Sequence, residues 1–557
     1  MTELLVVIVT ALVTIAAATA VGPRLGIASP LVLVSIGVAA SFLPMFGAVH
    51  IEPEWILEGV LPPLLYSSAV SMPAMNFRRE FGAIGGLSVL LVVASALLLG
   101  LFFTLVIPGL GFAWGVALGA IVSPTDAVAT SIIKRTPVSR RVVAILDGES
   151  LLNDATALVL LRTAIVATAA SFSFWGAVGT FAYSIVVALV VGAVVGRLNL
   201  LVRGRVTDPA VNTVISFTVP FLASVPAGLL GASGLVAAVV AGLVTGIRAP
   251  RDLSPQNRLS DSQNWRTVEL VLEGAVFLTM GVQIKAIVTN VENDHAGVGA
   301  AVLVAAGALV LTVLVRAAYV APLLGVLARR ARRGERMQPR VQGMRERMNT
   351  PEGTRETFEE VTTRRRRVSE RDLNRFARRI TQVLADIEYF LREPLGWREG
   401  TAVVWAGMRG AVTVAAAQTL PEDTPQRSVL VLVAFTVATM SLLVQGGTIG
   451  PLLRRITPRA GPGAGGGERA AGERTRIIEL LKTSAETVPG PPRLGDDRTP
   501  EGFDAARRHR LAVIAAQRSA LLDARDNGTF DADVLASALA NLDASQIAIE
   551  MRGRLAG

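Results

Sequence analysis

The sequence predicts an all-α polytopic membrane protein with about thirteen transmembrane helices, and three observations carry that prediction. Of its 557 residues, 51% are hydrophobic and only 18% charged, against about 25% charged in an ordinary soluble domain. The apolar residues fall in blocks of about 20, the length that crosses a bilayer as a helix. The net charge of +10 gathers in alternate loops between those blocks, the asymmetry that orients membrane proteins.

Bounded by polar residues or Pro/Gly punctuation, the blocks lie near 3–20, 28–46, 54–72, 83–107, 112–133, 142–168, 174–197, 210–226, 229–247, 266–289, 297–328, 399–420 and 427–452. The first follows Met1-Thr2-Glu3 with no basic flank, so it reads as a retained span and not a cleaved signal. Arg24, Arg78, Arg79, Lys134, Arg135, Arg140, Arg141, Arg197, Arg203, Arg205, Arg248, Arg251 and Arg258 fall on one side. Glu52, Glu54, Glu292, Asp294, Glu422 and Asp423 fall on the other. An odd span count then puts the N-terminus outside and the C-terminus in the cytoplasm of a plasma-membrane protein. Trp55, Trp114, Trp175, Trp265 and Trp397 stand at predicted span ends, where an interfacial aromatic belt would place them, and Trp405 lies deeper.

The chain therefore divides into spans 1 to 11 over 1–328, an Arg-rich cytoplasmic linker over 329–398, spans 12 and 13 over 399–455, and a cytoplasmic tail over 456–557. The linker carries the run Arg364 to Arg367 in mixed charge, with some helix near Asp372 to Leu391, and suits anionic lipid better than nucleic acid. In the tail, a Gly-rich stretch from Gly461 to Gly467 precedes helical spacing at Leu511, Ile514, Ala515 and Leu522, then at Leu535, Ala538, Leu539 and Leu542. A turn at Asn527-Gly528 between them predicts a helical hairpin.

Composition also excludes chemistries. There is no cysteine, and the three histidines, His50, His295 and His509, are far apart, so no disulfide, thiolate site or resident cofactor is expected. The same scarcity leaves an intramembrane hydrolase without a nucleophile and base. No GxxxxGK[ST] phosphate loop occurs, which makes an ion gradient the expected energy source.

Ionisable residues at membrane depth are costly and tend to be functional. Asp126 sits mid-span in SPTDAVA (123–129), where Pro124 interrupts the helix. Broken helices are the usual midplane ion-binding device of secondary transporters, because freed carbonyls coordinate cations. The next span carries GESLLNDATA (148–157), with Glu149, Ser150, Asn153 and Asp154 near its centre. A spacing of four sets Ser150 with Asp154 on one helix face and Glu149 with Asn153 on the adjacent one.

The balancing cations are Arg316, near the middle of its span, and Arg409, within Gly407-Met408-Arg409-Gly410. We expect Glu149 and Arg316 to form a structural ion pair, leaving Asp154 free to exchange its bound species. The glycines around Arg409 predict a second broken helix whose dipole charge Arg409 offsets, so that spans 4 to 6 answer spans 11 to 13 as an inverted repeat. Glu273 reads as a polar packing contact and Lys285 as a snorkelling side chain.

In order and spacing, SPTDAVA, GESLLNDATALVL and GMRGAVTVAAA, with LPPLLY (61–66) and Val315-Arg316-Ala317, resemble the monovalent cation:proton antiporter-1 family of sodium/proton exchangers over most of residues 1–455. The resemblance implies a homodimer of two-lobed protomers with the ion site where the two broken helices cross. It makes Asp154 the ion-binding carboxylate for a monovalent cation, with Asn153 its neighbour in the Asn-Asp pair. Ser150, Asp126 and the Thr125 carbonyl become candidate ligands. One departure is Ser67, which stands where many relatives carry an acid directly after the LPPLLF/Y stretch.

Competition of H+ with Na+, Li+ or K+ for one carboxylate gives antiport, since only a neutralised site crosses the low-dielectric barrier cheaply. With Asn153 in place of a second Asp, exchange is expected to be electroneutral. Loss of an acid at Ser67 would relax the preference for Na+, and the alternative reading is a K+/H+ antiporter or K+ efflux system on the same scaffold.

Overall fold

The computed structural model describes residues 2–25, 28–43, 52–126, 128–134, 136, 138–169, 174–293, 297–348, 350–361, 370–456, 466–490 and 500–555, and the regular structure among them is entirely helical. The Arg364 to Arg367 run, His50, His295 and most of the Gly461 to Gly467 stretch lie outside the described residues. Helices α1 (Thr2–Val21) and α2 (Ser29–Ser41) lead to α3 (Leu61–Ser71), which is entered through a π-helical segment, Trp55–Val60. Helix α4 (Ala74–Gly85) runs through a second π segment, Gly86–Leu91, into α5 (Val92–Val106). The first interrupted span is α6 (Phe112–Val122) followed by α7 (Val128–Ile133).

Then come α8 (Arg140–Ala169), α9 (Phe174–Arg203), α10 (Pro209–Leu229), α11 (Gly234–Asp252), α12 (Pro255–Val282), α13 (Ile284–Asn293) and α14 (Val298–Arg347). Helices α15 (Pro351–Val361) and α16 (Glu370–Arg392) precede the second interrupted span, α17 (Trp397–Trp405) and α18 (Ala411–Gln418). Helix α19 (Arg427–Ser441) passes through a third π segment, Leu442–Gly446, into α20 (Gly447–Ile456), and α21 (Gly466–Glu486), α22 (Pro500–Asn527) and α23 (Ala532–Leu555) complete the chain. Among the described residues, eight helical stretches are long and apolar enough to cross a membrane, judged by length and composition, and three shorter apolar helices accompany them.

The chain forms two units, one of Met1–Asp252, Ser260–Leu324 and Trp397–Pro458, the other of Leu253–Leu259, Gly325–Gly396 and Arg459–Gly557. In the first, α3, α8 and α11 share a core of Leu61, Leu65, Leu151, Ala155 and Val239. A second core gathers Tyr66, Ala188, Val219 and Ala237 around Trp265. Trp265 therefore corrects the aromatic-belt reading. It is 4% exposed, its Nε1 donates to Ser216 Oγ at 2.8 Å, and it packs on Tyr66 and Phe217. Two arginines assigned to basic loops are likewise interior, Arg141 paired with Glu80 at 2.6 Å and Arg203 with Asp261 at 2.9 Å.

Helix α12 begins eleven residues before the apolar block starting at 266, because its polar first turns have partners. Asn264 Nδ2 donates to Thr213 and Ser260, and Asp261 meets Arg203. Helix α14 is 50 residues long and continues past residue 328 into what its charge had marked as linker. Arginines are good helix formers, so loss of hydropathy does not end it.

In the second unit α21, α22 and α23 enclose Ile477, Ile514, Leu521, Leu535 and Leu542. The tail is thus a three-helix cluster and not a hairpin alone, since α21 adds Ile477, Leu480 and Leu481. Gly528 takes φ 71° after α22, a left-handed turn that favours glycine. Asp543 of α23 accepts from Arg258 at 2.5 Å and from Arg518 at 2.9 Å.

Candidate ion-binding site

Pro124 has no N–H to return to the preceding turn, so the carbonyls at the end of α6 are released from the helical ladder. Arg409 takes them up. Its Nε donates to Val122 O at 2.9 Å, one Nη to Ser123 O at 3.3 Å, and the other Nη to Gly407 O, which belongs to the opposite break. One buried guanidinium, 2% exposed, therefore serves carbonyls from both interruptions.

The two breaks also touch directly, because the backbone N–H of Asp126 donates to Met408 O at 2.7 Å. Two glycines make this approach possible. A Cβ at Gly407 would come within 2.7 Å of the Arg316 side chain, and one at Gly410 would overlap the Asp126 carboxylate. Asp126 Oδ1 in turn accepts from the Val128 N–H at 3.1 Å, capping α7.

Beside the crossing lies a buried ion pair. Arg316 grips Glu149 with both Nη atoms, one at 2.7 Å from Oε2 and the other on Oε1, while its Nε donates to Val403 O at 2.9 Å. The pair is 2% and 1% exposed. Thr125 Oγ1 donates to the same Glu149 carboxylate at 3.3 Å and accepts from Asn153 Nδ2 at 2.6 Å. Asn153 Nδ2 also reaches the Thr125 carbonyl at 3.2 Å, so Asn153 ties α8 to the first break, and the Thr125 carbonyl already has one donor.

Asp154 faces away from this network. It is 8% exposed, no donor among the described residues meets its carboxylate, and it lines a cavity of about 110 Å³ with Asp126, Thr125, Ser150, Glu269 and Glu273. Ser150 reaches the cavity wall while donating to the Asp147 carbonyl at 3.2 Å. The structure thus brings Asp154, Asp126, Thr125 and Ser150 to one cavity, whereas Asn153 stands behind it.

Glu273 lines the same cavity instead of serving as a packing contact. Glu269 does too, and the sequence reading passed over it, although two acids four residues apart on one apolar helix are a legible signal. Ser67 is 4% exposed and donates to Glu269 Oε2 at 3.3 Å. An acid supplied by α12 thus stands against the position where α3 lacks one.

The chain matches the family profile described as "Sodium/hydrogen exchanger, transmembrane" over residues 8–348 and 375–455. It is 27% identical to an uncharacterized Na+/H+ exchanger of Mycobacterium tuberculosis, over 98% of this chain and 96% of the relative. A sodium, potassium, lithium and rubidium/H+ antiporter of Bacillus subtilis is 29% identical over 48% of this chain and 41% of its own length. Among solved structures, the sodium proton antiporter MjNhaP1 of Methanocaldococcus jannaschii superposes with a TM-score of 0.53 at 15% identity, over 82% of this chain and 99% of that one, which shows a shared fold. These matches do not favour a dedicated K+ system on the same scaffold. The interrupted helices, the buried Glu149–Arg316 pair and the profile match over most of its length place the chain in the sodium/hydrogen exchanger family of monovalent cation:proton antiporters.

Proposed function

We propose that Asp154 is the carboxylate shared by H+ and a monovalent cation, and that the protein exchanges Na+, or Li+ or K+ less selectively, for H+ by alternating access. The observation that carries this reading is Asp154 itself, nearly buried, without a hydrogen-bond donor among the described residues, and facing a cavity beside the crossing of two broken helices. Glu149 carries no such freedom, because Arg316 holds it as an ion pair. A deprotonated, cation-free Asp154 has an uncompensated charge, which the barrier rejects. Loaded with either H+ or a cation it is neutral and can be exposed to the other side.

One exchanging carboxylate trades one charge for one, so the cycle is electroneutral. Asp126, Ser150 and the Thr125 carbonyl complete the oxygen-rich surroundings that hard cations require. Arg409 balances the carbonyls exposed at the breaks, and Asn153 holds the first break against α8. The protein is a transporter and not an enzyme, works as a homodimer in the plasma membrane with its N-terminus outside and C-terminus in the cytoplasm, and attracts anionic lipid through the arginines of 329–398.

The test is flux in proteoliposomes. With Na+ trapped inside and none outside, Na+ efflux should acidify the lumen without any other energy source. A lumen whose pH does not respond to the Na+ gradient would contradict the proposal.

A further inference from the structure

The cavity holds two acids that no motif of the sequence assigns. Glu269 and Glu273 are four residues apart on α12, so they share one face, about 6 Å apart along the axis. Glu269 is the one nearer the start of the helix. On its other side is Ser67, buried in α3 and donating to Glu269 Oε2 at 3.3 Å across 202 residues of sequence. The hydroxyl orients the carboxylate, and a serine leaves room for it that a longer acid at position 67 would fill. Asp154, nine-tenths buried and without a donor among the described residues, lines the same cavity and is the group such a charge would serve.

We infer that Glu269, positioned by Ser67, supplies the negative charge that draws and retains the cation on its way to Asp154, in place of an acid on α3. The inference rests on the Asp154 reading and adds to it a residue that sets apparent cation affinity. Glu269 acts through its charge in the cavity it shares with Asp154. A cation bound at Asp154 feels that charge across low-dielectric surroundings. Ser67 consequently does not leave the site short of an acid.

Glu269→Gln separates charge from structure, because its amide oxygen can still accept from Ser67. In reconstituted vesicles the apparent affinity for Na+ should fall by about 3- to 30-fold, with maximal rate within about twofold of wild type. The exchanged pair Ser67→Glu/Glu269→Ser returns the acid to α3 and should restore most of the affinity. Unchanged Na+ affinity in active Glu269→Gln, or a loss of maximal rate alone, would overturn the inference and leave Glu269 a polar contact. If Glu269→Gln does not fold, the exchanged pair decides, and a folded, active pair with affinity reduced to the same extent overturns it. Asp154→Asn, measured alongside, keeps the two readings apart. Transport by that variant refutes the shared site whatever Glu269 does, and its loss together with unaltered affinity in Glu269→Gln refutes only the role of Glu269.

Discussion

Removing Arg316 tests how the protein tolerates a buried acid left without its partner. Arg316→Ala deletes two charge-assisted hydrogen bonds to Glu149 and one to the Val403 carbonyl, and strands a carboxylate that is 1% exposed. Breaking a buried pair by removing one partner costs about 3 to 5 kcal/mol. At about 2.1 cal/mol/K of unfolding entropy per residue, a unit of several hundred residues should lose roughly 4 to 6 °C in apparent Tm. The assay is thermal unfolding in detergent, monitored by loss of the monodisperse species, with Arg316→Lys retaining charge but not the two-pronged grip and falling between. Glu149→Leu/Arg316→Met, which removes both charges, should recover much of the loss. An Arg316→Ala protein as thermostable as wild type, or a double variant no better than the single, would refute the structural role of the pair.

Other consequences are equally direct. Gly410→Ala places a methyl where the Asp126 carboxylate lies, and should cut Na+/H+ exchange by about tenfold or more. Gly450→Ala, whose added Cβ meets only Arg454 Nη2 at 3.8 Å, should leave exchange near wild type in the same proteoliposome flux assay. Exchange should be insensitive to an imposed membrane potential, and a sustained current scaling with the Na+ gradient on a solid-supported membrane would contradict electroneutrality. Leu521→Ala, in the fully buried centre of the tail cluster, should destabilise that cluster by about 2 to 5 kcal/mol, read as earlier proteolytic cutting of the tail in the full-length protein.

What could be read in the sequence follows from which physical constraints are local. Apolar blocks declare themselves because the bilayer demands an uninterrupted apolar length, and the breaks declare themselves because Pro124 and the glycines around Arg409 act on their own backbone. Glu149 and Arg316 could be matched across 167 residues only because each is an expensive charge needing a partner. The contact between Ser67 and Glu269 carried no such signal. Glu269 follows a polar stretch, Arg258 to Arg266, that reads as loop, and its helix starts early only because α9 and α10 supply Arg203, Thr213 and Ser216 as partners. The same partners turn Trp265 from an interfacial residue into a core one. Helix α14 ran past its hydropathy boundary, and α21 grew from the Gly-rich stretch, because helix formation in polar sequence depends on tertiary packing that hydropathy does not record.

The most direct test of the shared-site mechanism is Na+-driven proton movement in proteoliposomes containing Asp154→Asn, compared with wild type at equal, verified incorporation. Asparagine keeps the size of the side chain but neither titrates nor carries the charge that a cation must neutralise. Exchange should vanish for Na+, Li+ and K+ alike while the protein remains folded and monodisperse. Na+-driven acidification by this variant at a rate near wild type would place the exchanging carboxylate elsewhere.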